Sequence, residues 1–214
     1  MQHNQKILKK DFYIIFKLFF DNLFAFTSLF IGLPLFFIIS LLVKCSSRGP
    51  IFYSQRRLGK NNKPFKCLKF RTMHAEAEDI LDNLIKSNQT LRREFEASHK
   101  LKNDPRITNI GHFLRKTSLD EIPQFINVLK GEMSIVGPRP IVKEELEKYG
   151  ESINQVLSVK PGITGLWQVS GRNNLSYKRR GYLDCLYVKN INLILDIRII
   201  IRTFGVIFFP GDRG

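Results

Sequence analysis

The first long pattern in the chain is an uncharged apolar run from Leu23 to Val43. At about 21 residues it makes roughly 32 Å of helix, enough to cross a hydrocarbon core. Pro34 falls mid-run, where it removes the hydrogen bond to the Phe30 carbonyl and crowds that turn, and Gly32 loosens the backbone beside it. A kink is expected there. Lys6, Lys9 and Lys10 precede the run, and Lys44, Arg48, Arg56 and Arg57 follow it, so both flanks favour the cytoplasmic side. A helix that enters, bends at Pro34 and returns satisfies both flanks; an ordinary kinked span satisfies one. No small-x-small cleavage pattern follows the basic start, and Lys17, Asp21 and Asn22 interrupt its approach, so the segment is expected to be retained. The pattern divides the chain into a membrane-embedded, re-entrant segment, residues 1–48, and a second domain, residues 49–214.

Weak alternation at Ile51, Tyr53, Phe65, Cys67 and Leu68 around Gly59-Lys-Asn-Asn62 predicts a β-hairpin. Over residues 75–99, Ile80, Leu81, Leu84, Ile85, Leu91 and Phe95 keep helical spacing, giving a solvent-facing helix or helix pair. Ile122, Phe125, Ile126 and Leu129 stand at i, i+3, i+4 and i+7, one buried stripe of a helix over 119–130. Pro123 is tolerated only in a first turn, so this helix begins near Leu119 or Asp120, and Gly131 is placed to end it. Residues 158–174, with three glycines, a proline and paired Asn, read as a loop that brings backbone close to a ligand. Residues 186–209 are helical and apolar, broken by Asp196, Arg198 and Arg202; such a helix suits a membrane interface or a core. The fold expected is α+β, mainly helical: a re-entrant helix, amphipathic interface helices and a small hairpin region around a cytosol-facing site.

Charge narrows the partners. Lys and Arg number 34 against 19 Asp and Glu, a net +15, which calls for anionic partners such as phosphorylated substrates, lipid headgroups or nucleic acid. Eighteen Phe suit a lipid boundary, although most are expected to fill the core. Cys45, Cys67 and Cys185 are widely spaced and do not cluster with His, which argues against a disulfide framework and a zinc site. They read as reduced thiols, and any metal would need oxygen ligands.

Asp120–Glu121 is the leading candidate for chemistry. Carboxylates at a helix N-terminus meet unpaired N–H groups and the positive dipole end, which favour their anionic forms. One could stay an ionised nucleophile while its neighbour holds magnesium, which takes one or two carboxylates plus substrate phosphates. Ser118-Leu-Asp-Glu121 also matches a capping box, and in isolation the cap is the better reading. Basic turns shift the balance: Arg139 in Gly137-Pro-Arg-Pro140, Arg172 in Ser170-Gly-Arg172, and Lys66, Lys69 and Arg71. Arginine forks on rigid turns, with a carboxylate pair between them, suggest binding of a diphosphate together with a lipid phosphate.

The stretches FKCLKFRTM (65–73), KLKNDPRITNIG (100–111), TSLDEIPQFINVLKGEMSIVGPRP (117–140) and VKPGITGLWQVSGRNN (159–174) resemble the bacterial sugar transferases known as monotopic phosphoglycosyl transferases, most of all the catalytic domain of undecaprenyl-phosphate galactose phosphotransferases. The resemblance covers nearly the whole chain. Larger relatives carry extra membrane helices ahead of this domain, which this chain is expected to lack. By resemblance, residues 49–214 are the catalytic domain of an enzyme at the cytoplasmic face of the bacterial inner membrane. It would move a sugar-1-phosphate from a UDP-sugar to undecaprenyl phosphate and release UMP, an early membrane step of surface polysaccharide or glycoconjugate synthesis. Asp120 would be the nucleophile, forming an aspartyl-phosphosugar, and Glu121 the Mg2+ ligand. Lys69, Arg71, Arg139, Arg172 and Asp196 would serve substrate and phosphate. Galactose or another hexose is the favoured sugar, and membrane lipid but no nucleic acid is expected as partner. The family breaks its re-entrant helix at a Ser-Pro pair; this chain has Leu33-Pro34 and lacks the hydroxyl that would help the bend. The alternative is a basic, membrane-anchored binding module without catalysis, although no nucleic-acid motif accompanies the charge.

Overall fold

The apolar run folds into helices α1 (Gln2–Ile31) and α2 (Leu33–Ser46) in a computed structural model that describes residues 2–98, 101–171 and 174–208. Arg172 lies outside the described residues. After α2 come β1 (Phe52–Leu58), β2 (Pro64–Phe70), α3 (Ala77–Ser87), α4 (Gln89–Ser98), α5 (Asn109–Thr117), α6 (Gln124–Leu129), β3 (Ser134–Val136), α7 (Leu146–Tyr149), α8 (Ile153–Val156), β4 (Gly162–Thr164), α9 (Tyr177–Lys189) and α10 (Leu193–Phe208). The architecture is α+β and mainly helical, with β1 paired to β2 and β3 to β4.

The break between α1 and α2 falls at Gly32, whose N–H still reaches the Ser28 carbonyl at 2.9 Å. Pro34 is then the second residue of α2, where its missing N–H would have had no helical partner anyway. Among the described residues no single helix is long and apolar enough to cross a membrane. The pair Ile15–Ile31 and Leu33–Ser46 meets that measure together and bends by 65° at the break.

The chain divides into two compact units. One holds the residues up to Leu33, Ser54–Leu68 and the chain from Pro123 onward. Its core gathers Ala25 of α1, Phe65 and Cys67 of β2, Val128 of α6, Met133 to Val136 around β3, Tyr187 and Val188 of α9 and Ile199 of α10. The segment 158–174, expected as loop throughout, contributes β4, which runs parallel to β3 with Ser134 opposite Gly162 and Val136 opposite Thr164. Strands of three residues are too short to show alternation. Glycine is required at this pairing, because a Cβ on Gly162 would stand 2.1 Å from the Gly137 nitrogen.

The apolar stretch after 186 also differs from expectation. It is two helices, not one: α9 stops at Lys189, and Asn192 caps α10 by accepting the Leu195 N–H at 2.9 Å. Asparagine favours such caps because its carbonyl oxygen replaces the missing helical acceptor. Along α10, Ile194, Ile197, Ile201 and Phe204 are exposed.

The other unit holds Pro34–Tyr53 and Lys69–Ile122. Its core is Ile39 and Val43 of α2, Phe70 of β2 and Leu114 of α5, joined by Ile110, Leu119 and Ile122. Phe70 stacks on Phe52 (5.5 Å between centroids) and meets Phe36 at 5.0 Å. The KNDPRIT segment is built around Asp104, which takes both ends of the Arg106 guanidinium at 2.8 and 2.7 Å. Thr108 then caps α5 by accepting the Gly111 N–H at 2.9 Å. Residues 75–99 are the helix pair α3–α4.

Candidate active site

Lys69 sits one residue before Phe70 on β2, and side chains on a strand alternate between faces. With Phe70 packed in the aromatic core, Lys69 points the other way. There its ammonium donates to Glu121 Oε1 at 2.6 Å and to Asp120 Oδ2 at 3.3 Å. The carboxylates are held by an abrupt end to α5. Ser118 adopts a left-handed conformation (φ 58°, ψ 15°), and the next three residues form a single 3-10 turn, Leu119–Glu121. Leu119 and Ile122 enter the core on one side of this turn, which leaves Asp120 and Glu121 on the other.

This geometry overturns the capping box. The Ser118 side chain makes no cap hydrogen bond, and a left-handed Ser118 is not in the extended conformation that an N-cap needs. Glu121 is spent on Lys69 instead. The single helix expected over 119–130 is also interrupted, because α6 begins only at Gln124, behind Pro123. Gly131, with φ at +75°, ends it as expected.

Electrostatics depart from expectation in the same place. Asp120 is 7% exposed, and burial pushes its carboxyl above the ordinary carboxylate range. Lys69 opposes that shift, Glu121 adds to it, and Arg115 opposes it more weakly. Desolvation outweighs the helix-end field that was expected to favour the anion. Arg115, which sequence reasoning passed over, is fixed by donating from Nε to Thr72 Oγ1 at 2.9 Å. The Thr72 carbonyl accepts the Thr108 N–H at 3.0 Å and lies 2.0 Å from where a Gly111 Cβ would stand. The KNDPRIT segment is thus the support on which Thr72 and Arg115 rest.

Arg71 and Asp196, also expected at the site, have partners of their own. Arg71 is 7% exposed, and its guanidinium donates to the carbonyls of Val43, Ser47 and Arg48 at 3.2, 2.6 and 2.9 Å. These are acceptors at and just past the end of α2, so Arg71 closes that helix in this structure. Asp196 is fully buried in the unit formed around β3. It accepts from Tyr13 at 2.7 Å, Tyr187 at 2.8 Å and Lys17 at 2.5 Å. Lys17 also faces Asp21 at 3.6 Å, and Asp21 receives the Ser134 hydroxyl at 2.7 Å and the Ile135 N–H at 3.2 Å. On sequence, Lys17 and Asp21 only interrupt the approach to the apolar run. Their spacing of four was the available signal of a pair on one helix face.

Arg139 is in the same unit as Asp196, half-buried, with its guanidinium 6.0 Å from the centre of the Trp167 ring. Arg180 lies over the same ring at 4.7 Å and over Tyr177 at 5.0 Å. Neither Trp167 nor Arg180 was foreseen as part of an arginine site, since nothing in their spacing links them to Arg139.

For a metal, the donor set is the Asp120–Glu121 pair; among the described residues no cluster of three or more His, Cys, Asp or Glu comes together. Both carboxylates already converge on one cation, the Lys69 ammonium, within 3.3 Å. Such a pair fits magnesium, which needs few protein ligands and fills its shell with water and phosphate oxygens.

The profile of the bacterial sugar transferase family matches residues 12–210. UDP-galactose-lipid carrier transferase of Erwinia amylovora is 45% identical over 206 residues, 96% of this chain and 41% of that protein. Undecaprenyl-phosphate galactose phosphotransferase of Salmonella typhimurium is 52% identical over 159 residues, 74% of this chain and 33% of the relative. Exopolysaccharide production protein ExoY of Rhizobium meliloti is 47% identical over 188 residues, 88% of this chain and 83% of the relative. The chain therefore spans well under half the length of the first two and most of the third. It belongs to the bacterial sugar transferase family.

Proposed function

We propose that the protein transfers a sugar-1-phosphate from a UDP-sugar, UDP-galactose or another UDP-hexose, to undecaprenyl phosphate, releasing UMP in surface polysaccharide synthesis. The observation that carries this reading is the buried Asp120 carboxylate beside Glu121 on one lysine, in a chain whose relatives are named for lipid-linked galactose transfer. An Asp120 oxygen attacks the β-phosphorus of the nucleotide sugar. The bond from that phosphorus to the oxygen bridging the two phosphates breaks, and UMP departs with that oxygen and its electron pair. The phosphosugar is left as an acyl phosphate on Asp120. An oxygen of the lipid phosphate then attacks the same phosphorus, the bond to Asp120 breaks, and the carboxylate returns as polyprenyl-diphosphate-sugar forms.

Lys69 turns from the carboxylates to the phosphoryl oxygens, and its charge and that of Arg115 offset the negative charge gathering there. Burial of Asp120 strips water from the attacking oxygen and keeps hydrolysis of the acyl phosphate slow. Glu121 is the residue that would hold magnesium, with Asp120 next to it, and the ion when bound would neutralise diphosphate charge. Arg139 and Arg172 are assigned to phosphate, as the resemblance implies.

We place the enzyme at the cytoplasmic face of the bacterial inner membrane, with α1 and α2 entering the lipid and returning. The 65° bend, the exposed Phe19, Phe26, Phe30, Ile31 and Phe37 and lysines at both flanks support that placement. The deciding experiment incubates purified protein with magnesium, undecaprenyl phosphate and a panel of UDP-sugars and measures UMP. A UDP-hexose is expected to give UMP and a lipid-linked sugar, and chelation of magnesium to stop both. The reading fails if no UDP-sugar yields UMP.

A further inference from the structure

Lys69 and Phe70 end β2, Arg71 and Thr72 follow, and each of the four is tied to a different part of one compact unit. Lys69 donates to Asp120 and Glu121, Phe70 packs against Phe36 and Phe52, and Thr72 Oγ1 accepts from Arg115. The Arg71 backbone N–H donates to the Ile51 carbonyl at 2.9 Å, and its guanidinium donates to the carbonyls of Val43, Ser47 and Arg48. All three acceptors are neutral backbone groups at the negative end of the α2 dipole, so the charge is spent on a helix end. Three of the five N–H donors of the fork are thereby occupied. The fit is close. Gly49 stands in a left-handed conformation (φ +120°), and a Cβ there would lie 2.2 Å from Arg71 Nη1. The strand is thus fixed to the end of α2 two residues from the ammonium that holds the dyad.

We propose that Arg71, seated against Gly49, is a positioning residue that holds the Lys69 end of β2 in register with Asp120 and Glu121. The proposal rests on the reading above that Lys69 and the dyad carry out phosphosugar transfer. It gives Arg71 a role other than the phosphate ligand that resemblance implied. Lys69 ends in a point charge on a flexible stem, so its place over two carboxylates depends on where its backbone is held. A strand released from α2 would let that ammonium drift. A displacement of about 1 Å is enough to lower a rate by about 10²-fold without removing any group that binds the nucleotide.

The test uses the full chain in detergent, with turnover read as UMP release and UDP affinity by calorimetry. A third readout is acylation of the Lys69 amine, followed by mass spectrometry against the exposed Lys86. Gly49→Ala displaces the guanidinium without altering Arg71, because the end of a long side chain yields before backbone does. Gly49→Ala and Arg71→Gln are each expected to lower kcat at least about tenfold, with KM for the UDP-sugar and UDP affinity within about twofold. In both, Lys69 should be acylated about fivefold faster, as an amine whose ion pair has loosened. Arg71→Lys should do no better than Arg71→Gln, since a point charge cannot span three carbonyls. Adding Lys69→Met to Arg71→Gln should cost nothing further, because one residue acts through the other. Unchanged Lys69 labelling, weakened UDP binding with kcat intact, full turnover by Arg71→Lys, or losses that multiply in the double variant each overturn the proposal. If Arg71→Gln does not fold, Gly49→Ala carries the test on the same terms. UMP release by wild type with unchanged Lys69 labelling in the variant sinks this proposal alone; faster labelling without UMP from any UDP-sugar sinks the proposed reaction alone.

Discussion

Two buried carboxylates, each facing a lysine, are held in opposite ways in this molecule. Asp196 takes three side-chain donors, from Tyr13, Lys17 and Tyr187, and is fully enclosed. Asp120 has Lys69 at 3.3 Å, while the same ammonium sits closer to Glu121 at 2.6 Å. A saturated carboxylate is a clasp: it ties α1 to α9 and α10, and its lone pairs are committed. A carboxylate with a loosely held, shared cation can exchange that cation for a phosphoryl group. Resemblance placed both residues in the active site; their hydrogen-bond partners differ.

The largest effect expected is on turnover. Asp120→Asn should lower kcat by on the order of 10⁴-fold or more, as losses of covalent nucleophiles do, with the thermal transition unchanged or raised because a buried charge is removed. Mass spectrometry of wild type given UDP-sugar without lipid acceptor should find the phosphosugar on Asp120, and the variant should lack it. Turnover by the variant at the wild-type rate would make Asp120 another clasp.

Asp196→Ala is the opposite case. It leaves Lys17 buried beside Asp21 with its closest partner gone and the Tyr13 hydroxyl without this acceptor, while the Tyr187 hydroxyl keeps the Val136 carbonyl at 2.9 Å. Breaking a buried ion pair from one side costs about 3–5 kcal/mol, which denaturant unfolding would register as a lower midpoint. A variant with wild-type stability and reduced turnover would return Asp196 to the reaction.

Gly111→Ala tests the support under the dyad. Its Cβ would meet the Thr72 carbonyl oxygen at 2.0 Å, so strand or helix must shift, at about 1–3 kcal/mol. Because Thr72 Oγ1 fixes Arg115, turnover should fall further than the stability loss accounts for. Equal losses would mean that the segment supports the fold but not the site.

Much of this was readable in advance, and for identifiable reasons. The break near Pro34, the hairpin with Asn61 and Asn62 in positive φ, the α3–α4 pair and the end at Gly131 all follow from local rules of backbone and spacing. The pairing of Lys69 with Asp120 and Glu121 spans some fifty residues, and no local pattern encodes it. The basic clusters and the resemblance group those residues, but neither says that they touch. What escaped was decided by tertiary packing: Ser118 turning left-handed in place of capping, β3 meeting β4, Arg71 closing α2, Asp184 buried on α9. Resemblance transfers residue types well but does not say which of them are already committed to each other.

The smallest effect expected is also the most diagnostic for the dyad. Burial leaves the native pKa of Asp120 above its ordinary value near 4. For this group stability is therefore greater at low pH and is lost as pH rises through the unfolded and then the native value, since ionisation costs more in the native state. Activity runs the other way, because attack requires the ionised form, so the acid limb of kcat/KM should lie above the ordinary carboxylate range. Lys69 is the largest of the influences that hold the pKa down. Lys69→Met should therefore move the acid limb to higher pH, beyond any uniform loss of rate. A limb that stays in place while the rate falls would mean that Lys69 serves only the phosphoryl oxygens and that Asp120 owes its ionised fraction to something else. That result would erase the contrast with Asp196, where the lysine is part of a closed structural set.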